Sequence, residues 1–259
     1  MKKIFIAGNW KMYKCKDEAL EFIFKINNKV PDKNKVESVI FPQNTLLDSL
    51  VQIEGKNLRI GAQNIFYKDE GPYTGEISPK NIFSLGVKYV LLGHYERRKL
   101  FNETDEMINL KLLSVIPYNI YPVICIGENL KIKEKNETEL FLNNQLEIIL
   151  KNIDIVFLEK IIFAYEPVWS IGTGNILSCE KANKIIKKIR DKISLLFNEK
   201  VAQKVRIIYG GSIDIANVSS FLKQKEIDGI LSGKSSLQVE EFLFFTELAE
   251  KIFDKKNIF

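Results

Sequence analysis

The chain has one histidine in 259 residues, His94, and only three cysteines, Cys15, Cys125 and Cys179, which lie far apart. A lone imidazole cannot build a histidine-rich metal centre, and the cysteine spacings match no zinc or redox motif. Reduced thiols without a catalytic role, and a site with no metal, are the expectation. No apolar run approaches the roughly 20 residues that a membrane-spanning helix needs. The basic start Met1-Lys2-Lys3 precedes a short apolar run that ends at Asn9-Trp10-Lys11. That is too little for a secretory signal, so the chain is expected to stay in the cytoplasm. Linkers, low-complexity tracts and internal repeats are missing too, and residues 1–259 read as one domain. The net charge of +5 comes from lysines spread along the chain. It suits an anionic small substrate and, with no basic block, gives no argument for nucleic acid.

What is present is an alternation. Apolar, β-branched runs occur at Ile4–Ala7, Val36–Phe41, Leu58–Ala62, Tyr89–Leu92, Val123–Ile126, Ile161–Ala164, Val205–Tyr209 and Asp228–Leu231. Short continuous runs of this kind read as strands buried on both faces, the pattern of a parallel sheet. Between several of them, apolar residues recur every three or four positions. This predicts helices over Asp17–Lys29, Glu137–Asn152, Cys179–Asn198, Asp214–Leu222 and Val239–Phe253, with Asp17, Ser178 and Asp214 as N-caps. Eight strands with 46% hydrophobic residues in a chain of this length predict a closed (β/α)₈ barrel. A doubly wound open sheet is the alternative, because periodicity does not show closure.

In such a barrel the chemistry belongs at the C-terminal ends of the strands. The sixth run leads into Glu166-Pro-Val-Trp-Ser-Ile-Gly-Thr-Gly174. Pro167 stiffens the root, and the tip is built from small residues, as a moving lid requires. A carboxylate beside a water-excluding lid can serve as a general base; a surface salt bridge is the plainer reading. The first run ends at Asn9 and Lys11, two apart and so expected on one side, a neutral donor and a cation for an oxygen-rich anion. An ordinary solvated lysine is the competing reading. His94 follows the fourth run ahead of a helix start, where the helix dipole would favour a neutral imidazole, with Glu96, Arg97 and Arg98 as an ion-pair network. Glycines after the seventh and eighth runs, Tyr209-Gly-Gly-Ser212 and Ser232-Gly-Lys-Ser235, expose backbone N–H groups suited to phosphate.

The segments Asn9–Met12, Gly93-His94 with Glu96-Arg97-Arg98, Ala164–Gly174 and Tyr209–Ser212 together resemble triosephosphate isomerases. Gly61–Asn64, Tyr73–Glu76 and Cys125–Glu128 fall in order between them. The resemblance implies a TIM barrel that interconverts dihydroxyacetone phosphate and glyceraldehyde 3-phosphate through an enediolate, with no cofactor. It implies Glu166 as the proton shuttle, His94 as the electrophile, and Lys11 and Asn9 as stabilisers of developing charge. The N–H groups of Gly172, Ser212, Gly233 and Lys234 would hold the phosphate. Pro167 and Trp169 would belong to the lid, Tyr209 and Ser212 would latch it, and Glu96 would support the site. The glutamate–histidine pair and the closing loop are part of the family's known description and come with the resemblance. A homodimer is implied as well, with Thr74 at the tip of a loop reaching into the partner's site.

Three positions depart from the family's usual pattern. Tyr95 stands for a serine near the base, Lys234 for a second glycine in the last phosphate loop, and Tyr13 for an asparagine near the dimer contact. Two further readings follow: a paralogue acting on a longer ketose phosphate, and a phosphate-binding barrel without catalysis. The second conflicts with the presence of Glu166, His94 and Lys11 together.

Overall fold

The computed structural model describes residues 2–171 and 175–256. Eight parallel strands close in sequence order: β1 (Ile4–Asn9), β2 (Val36–Phe41), β3 (Leu58–Ala62), β4 (Tyr89–Leu92), β5 (Tyr121–Ile126), β6 (Ile162–Tyr165), β7 (Arg206–Tyr209) and β8 (Gly229–Ser232). β1 pairs with both β2 and β8, so the barrel is closed and the open-sheet alternative is excluded. The helices are α1 (Lys16–Ile26), α2 (Leu47–Val51), α3 (Pro79–Ser84), α4 (Tyr95–Leu100), α5 (Asp105–Val115), α6 (Leu130–Glu134), α7 (Thr138–Ile149), α8 (Ile155–Leu158), α9 (Cys179–Leu196), α10 (Glu199–Lys204), α11 (Val218–Leu222) and α12 (Val239–Lys256). Among the described residues no helix is long and apolar enough to cross a membrane.

Side chains alternate along each strand, which divides the core in two. Phe5, Ala7, Val39, Phe41, Leu91, Val123, Cys125, Ile162, Ala164, Ile208 and Leu231 fill the barrel interior. Their neighbours, such as Ile6, Ile40, Ile124, Phe163 and Ile207, pack outwards against the helices. The longer helices answer with an apolar stripe: Ala182, Ile186, Ile189 and Ile193 in α9, and Ala19, Phe22, Ile23 and Ile26 in α1, are buried. Room inside the barrel is tight. A Cβ on Gly61 would lie 2.4 Å from Phe41 Cε1.

Two of the predicted caps move. Ser178 caps α9 by accepting the Lys181 N–H at 3.4 Å. Asp17 instead lies in the first turn of α1; Cys15 is the N-cap residue, and Glu18 accepts its N–H at 2.7 Å. Asp214 does not open a helix either. It accepts the Asn217 N–H at 3.0 Å in a turn, and α11 starts only at Val218. Short polar side chains bond equally well in turns and at caps, so the residue type alone does not separate the two.

Candidate active site

The inward parity of β6, through Ile162 and Ala164, continues to Glu166 at the rim. Its N–H extends the β5 pairing to Ile126 O at 2.8 Å, and the residue is only 2% exposed. Oε2 accepts the Tyr95 backbone N–H at 3.1 Å, and Oε1 lies 3.5 Å from His94 Nε2. Burial raises the Glu166 pKa above the usual carboxylate value; His94, the Tyr95 N–H and the Cys125 thiol oppose the shift without cancelling it. Two glycines make the space. A Cβ on Gly127 would fall 1.7 Å from Glu166 O, and one on Gly210 would fall 2.9 Å from its Cγ. Gly210 thus clears the base's side chain, a role beyond the phosphate turn read from sequence. Cys125, expected to be a bystander, sits beneath the base. Burial, with the Glu166 charge adding to it, pushes its thiol well above the ordinary range.

β4 ends at Leu92, and the φ of 68° at Gly93 turns the chain so that His94 can head α4. The Glu96 N–H donates to His94 Nδ1 at 3.4 Å. Nδ1 is therefore the acceptor, which leaves Nε2 as the N–H facing Glu166 and the open end of the barrel. Arg98 braces this turn by donating to Gly93 O at 2.7 Å, Cys125 O at 2.9 Å and Asp105 Oδ1 at 2.6 Å. Arg97 pairs with buried Glu103 at 3.0 Å, and Glu103 in turn pairs with Lys111. Both arginines are thus ion-paired, but Glu96, expected in the same network, pairs instead with Lys11.

Asn9 continues the inward parity of β1 and is 5% exposed. Lys11 is not held beside it by strand pleating. Its φ of 52° is left-handed, a conformation that costs a non-glycine residue about 1–2 kcal/mol. Asn9 Oδ1 accepts the Lys11 N–H at 3.0 Å, and Gln63 Nε2 donates to Lys11 O at 2.8 Å and Phe41 O at 2.9 Å, which holds the bend. The bend aims Nζ at Glu96 Oε1, 2.6 Å away. Partial burial alone would lower the Lys11 pKa and raise that of Glu96. The hydrogen-bonded pair reverses both shifts, so each stays charged. Sequence parity did not reveal Gln63 as the clamp.

The departures resolve in part. Tyr95 holds the Glu166 carboxylate through its backbone N–H, which any residue except proline could supply, and turns its side chain towards Glu96 and Lys11. Lys234 begins a 3₁₀ turn, Lys234–Leu237, in ordinary helical geometry, so this position does not need a second glycine. The N–H groups of Ser212, Gly233 and Lys234 make no hydrogen bond among the described residues. Gly233 adjoins Lys11; a Cβ there would lie 3.5 Å from Lys11 Cε. Ser236 ties this loop to β1 by accepting the Trp10 Nε1–H at its carbonyl, 3.1 Å away. Gly172 lies outside the described residues.

At the lid's root, Pro167 precedes a 3₁₀ turn, Val168–Ser170. Glu128 holds that turn by accepting the Val168 N–H at its carbonyl (3.1 Å) and the Trp169 Nε1–H (2.8 Å) and Tyr165 O–H (3.1 Å) at its carboxylate. Tyr209 Oη and Ser170 Oγ are buried with no hydrogen-bond partner among the described residues. Burial pushes the Tyr209 phenol up to about 12, against the opposing effect of the Ser170 hydroxyl beside it. Asn9, Lys11, His94 and Glu96 share a cavity of about 670 Å³ that extends past Gln63 to Phe101.

A buried carboxylate, an N–H-bearing imidazole and an ammonium thus meet beside unpaired backbone donors. Comparison with known proteins agrees with this constellation. The sequence profile of the family described as triosephosphate isomerase matches residues 4–251. The chain is 55% identical to the triosephosphate isomerase of Onion yellows phytoplasma (strain OY-M), over 98% of this chain and 93% of the relative. It is 42% identical to that of Clostridium botulinum (strain Loch Maree / Type A3), over 93% of this chain and 98% of the relative. For the Lactobacillus acidophilus enzyme of the same name the identity is 43%, over 92% of this chain and 95% of the relative. The chain belongs to the triosephosphate isomerase family.

Proposed function

We propose that the chain performs the family's reaction, the interconversion of dihydroxyacetone phosphate and D-glyceraldehyde 3-phosphate, with the groups at the barrel's open end in the following roles. Glu166 removes a proton from one of the two oxygen-bearing carbons and returns it to the other. The Nε2–H of His94 polarises the carbonyl and relays protons between the oxygens. Lys11 and Asn9 stabilise the enediolate charge, each oxyanion donor contributing about 10²–10³-fold. The N–H groups of Ser212, Gly233, Lys234 and Gly172 hold the phosphate. Closure of the loop led by Pro167 and Trp169 removes water, and Tyr209 and Ser212 latch it. The observation that carries this reading is the buried Glu166 carboxylate, raised in pKa by burial and 3.5 Å from His94 Nε2.

The reading extends to a homodimer working in the cytoplasm. Met12, Tyr13, Leu100 and Phe101 are exposed apolar side chains at and beside the cavity that holds Lys11, which supports cover by a second copy. Thr74 stands exposed at its loop tip, as a residue reaching into a partner would.

The test is kcat/KM for glyceraldehyde 3-phosphate with protein stripped of metal by chelation. A value near the diffusional ceiling of about 10⁸ M⁻¹s⁻¹ supports the reading. A folded protein thousands of times slower, yet quicker on a four-carbon ketose phosphate, would replace it.

A further inference from the structure

We propose that Tyr95 is a positioning residue of this site: its phenol holds the Glu96 carboxylate so that Lys11 can transfer from Glu96 to the substrate's oxygens. The proposal rests on the roles given above to Lys11 and Glu96. Two donors converge on one oxygen, Glu96 Oε1: Lys11 Nζ at 2.6 Å and Tyr95 Oη at 3.2 Å. The face of the Tyr95 ring lies 5.2 Å from the same ammonium. The ring also packs on the His94 imidazole, centroids 4.8 Å apart at 50°. One side chain therefore touches the carboxylate, the cation and the electrophile, while its backbone N–H holds the base.

The arrangement answers a physical difficulty. The Lys11 and Glu96 side chains are 25% and 32% exposed, so their ion pair is only partly weakened by water. With Lys11 as its only donor, Oε1 would lose its partner when the ammonium moved to substrate, and Glu96 would pull against that movement. The phenol shares Oε1 beforehand and stays when the ammonium leaves. The ring face meanwhile attracts the cation without fixing its direction. Burial, supported by the Glu96 charge against the opposing Lys11 charge, raises the Tyr95 pKa, so the phenol remains a donor wherever the enzyme works.

The experiment is a double-mutant cycle on the full-length protein, with Tyr95→Phe, Glu96→Gln and both together, read as kcat and KM for glyceraldehyde 3-phosphate and as Tm. Tyr95→Phe keeps the ring and removes the donor. The expected result is a kcat/KM about tenfold lower, the scale of one hydrogen bond to a charged group, with Tm unchanged. In the Glu96→Gln background the same substitution should then have little further effect. Tyr95→Ser, which loses ring and hydroxyl, should be at least as slow as Tyr95→Phe. Full activity in Tyr95→Phe, or the same loss in both backgrounds, would overturn the proposal. Lys11→Ala is measured alongside: full activity there would overturn the site reading itself. A crippled Lys11→Ala beside an intact Tyr95→Phe would overturn the Tyr95 role alone.

Discussion

The two ends of the barrel treat charge in opposite ways. At the N-terminal end of the strands, Asp228 accepts from Lys2 and Arg190, each at 2.8 Å, and from the Ile207 N–H at 2.9 Å. Arg190 also donates to Glu226 Oε2 at 3.0 Å and to the carbonyls of Ala202 and Val205, each at 2.7 Å. Inside the barrel, Arg206 pairs with Glu37 under the Phe5 ring. Each buried charge there meets an opposite charge and, around Arg190 and Asp228, several hydrogen bonds. At the C-terminal end, Glu166 is buried with no cation among the described residues in salt-bridge contact other than His94, if that imidazole were protonated. Lys11 is bent into left-handed backbone, and the hydroxyls of Tyr209, Ser170 and Ser232 are buried without partners among the described residues. The closed end pairs the charges it buries; the open end pairs Glu103 with Lys111 and Arg98 with Asp105 as well, but keeps Glu166 and three hydroxyls ready for a ligand.

If that contrast is right, substitutions at the two ends should separate activity from stability. The largest effect belongs to Glu166→Gln, which should lower kcat about 10³–10⁴-fold, seen in a coupled assay, while leaving Tm no lower than the parent's. Gly210→Ala comes next. Its Cβ would crowd Glu166 Cγ at 2.9 Å and misplace the base, so kcat should drop about 10²-fold with little change in Tm. Asp228→Ala should do the reverse. Removing one partner of a buried, multiply bonded ion pair should cost about 3–5 kcal/mol in chemical denaturation, with kcat per folded molecule nearly unchanged. Loss of activity without loss of stability in Asp228→Ala would break the comparison. The smallest effect is expected for Tyr209→Phe, which deletes a buried hydroxyl with no partner in the described structure. Tm should hold or rise slightly, while kcat falls by about tenfold if the hydroxyl latches the closed lid.

The barrel's strands were largely legible in the sequence, because they rest on periodicity, whereas the ion pairs at its closed end join residues far apart in the chain and were not. Runs such as Val36–Phe41 and Leu58–Ala62 coincide with β2 and β3. Closure was not, since it depends on the pairing of β1 with β8, residues that lie far apart in the chain. At the open end the residues singled out in the sequence are brought together, while the contacts that support them were not foreseen. Glu166, His94, Lys11 and Asn9 stand together, yet Gln63 as the clamp on Lys11, Gly210 as clearance for the base and Cys125 beneath it come from contacts between distant strands. In the sequence Tyr95 reads only as a departure near the base. Its side chain instead serves the other half of the site, because a strand-to-helix turn sends the backbone N–H and the side chain in different directions.

The most direct measurement compares the Tm of the parent and Glu166→Gln from pH 4 to pH 8. Burial raises the folded-state pKa of Glu166 above its unfolded value near 4.5. Below the unfolded pKa the carboxyl is protonated in both states and carries no penalty. As pH rises towards the folded pKa, the unfolded chain ionises first, so the parent loses stability that the glutamine variant keeps. The predicted result is a variant that matches the parent near pH 4 and becomes the more stable protein by pH 8. A variant of equal or lower stability at pH 8 would mean that the open end compensates its buried carboxylate as fully as the closed end does, and the account would fail.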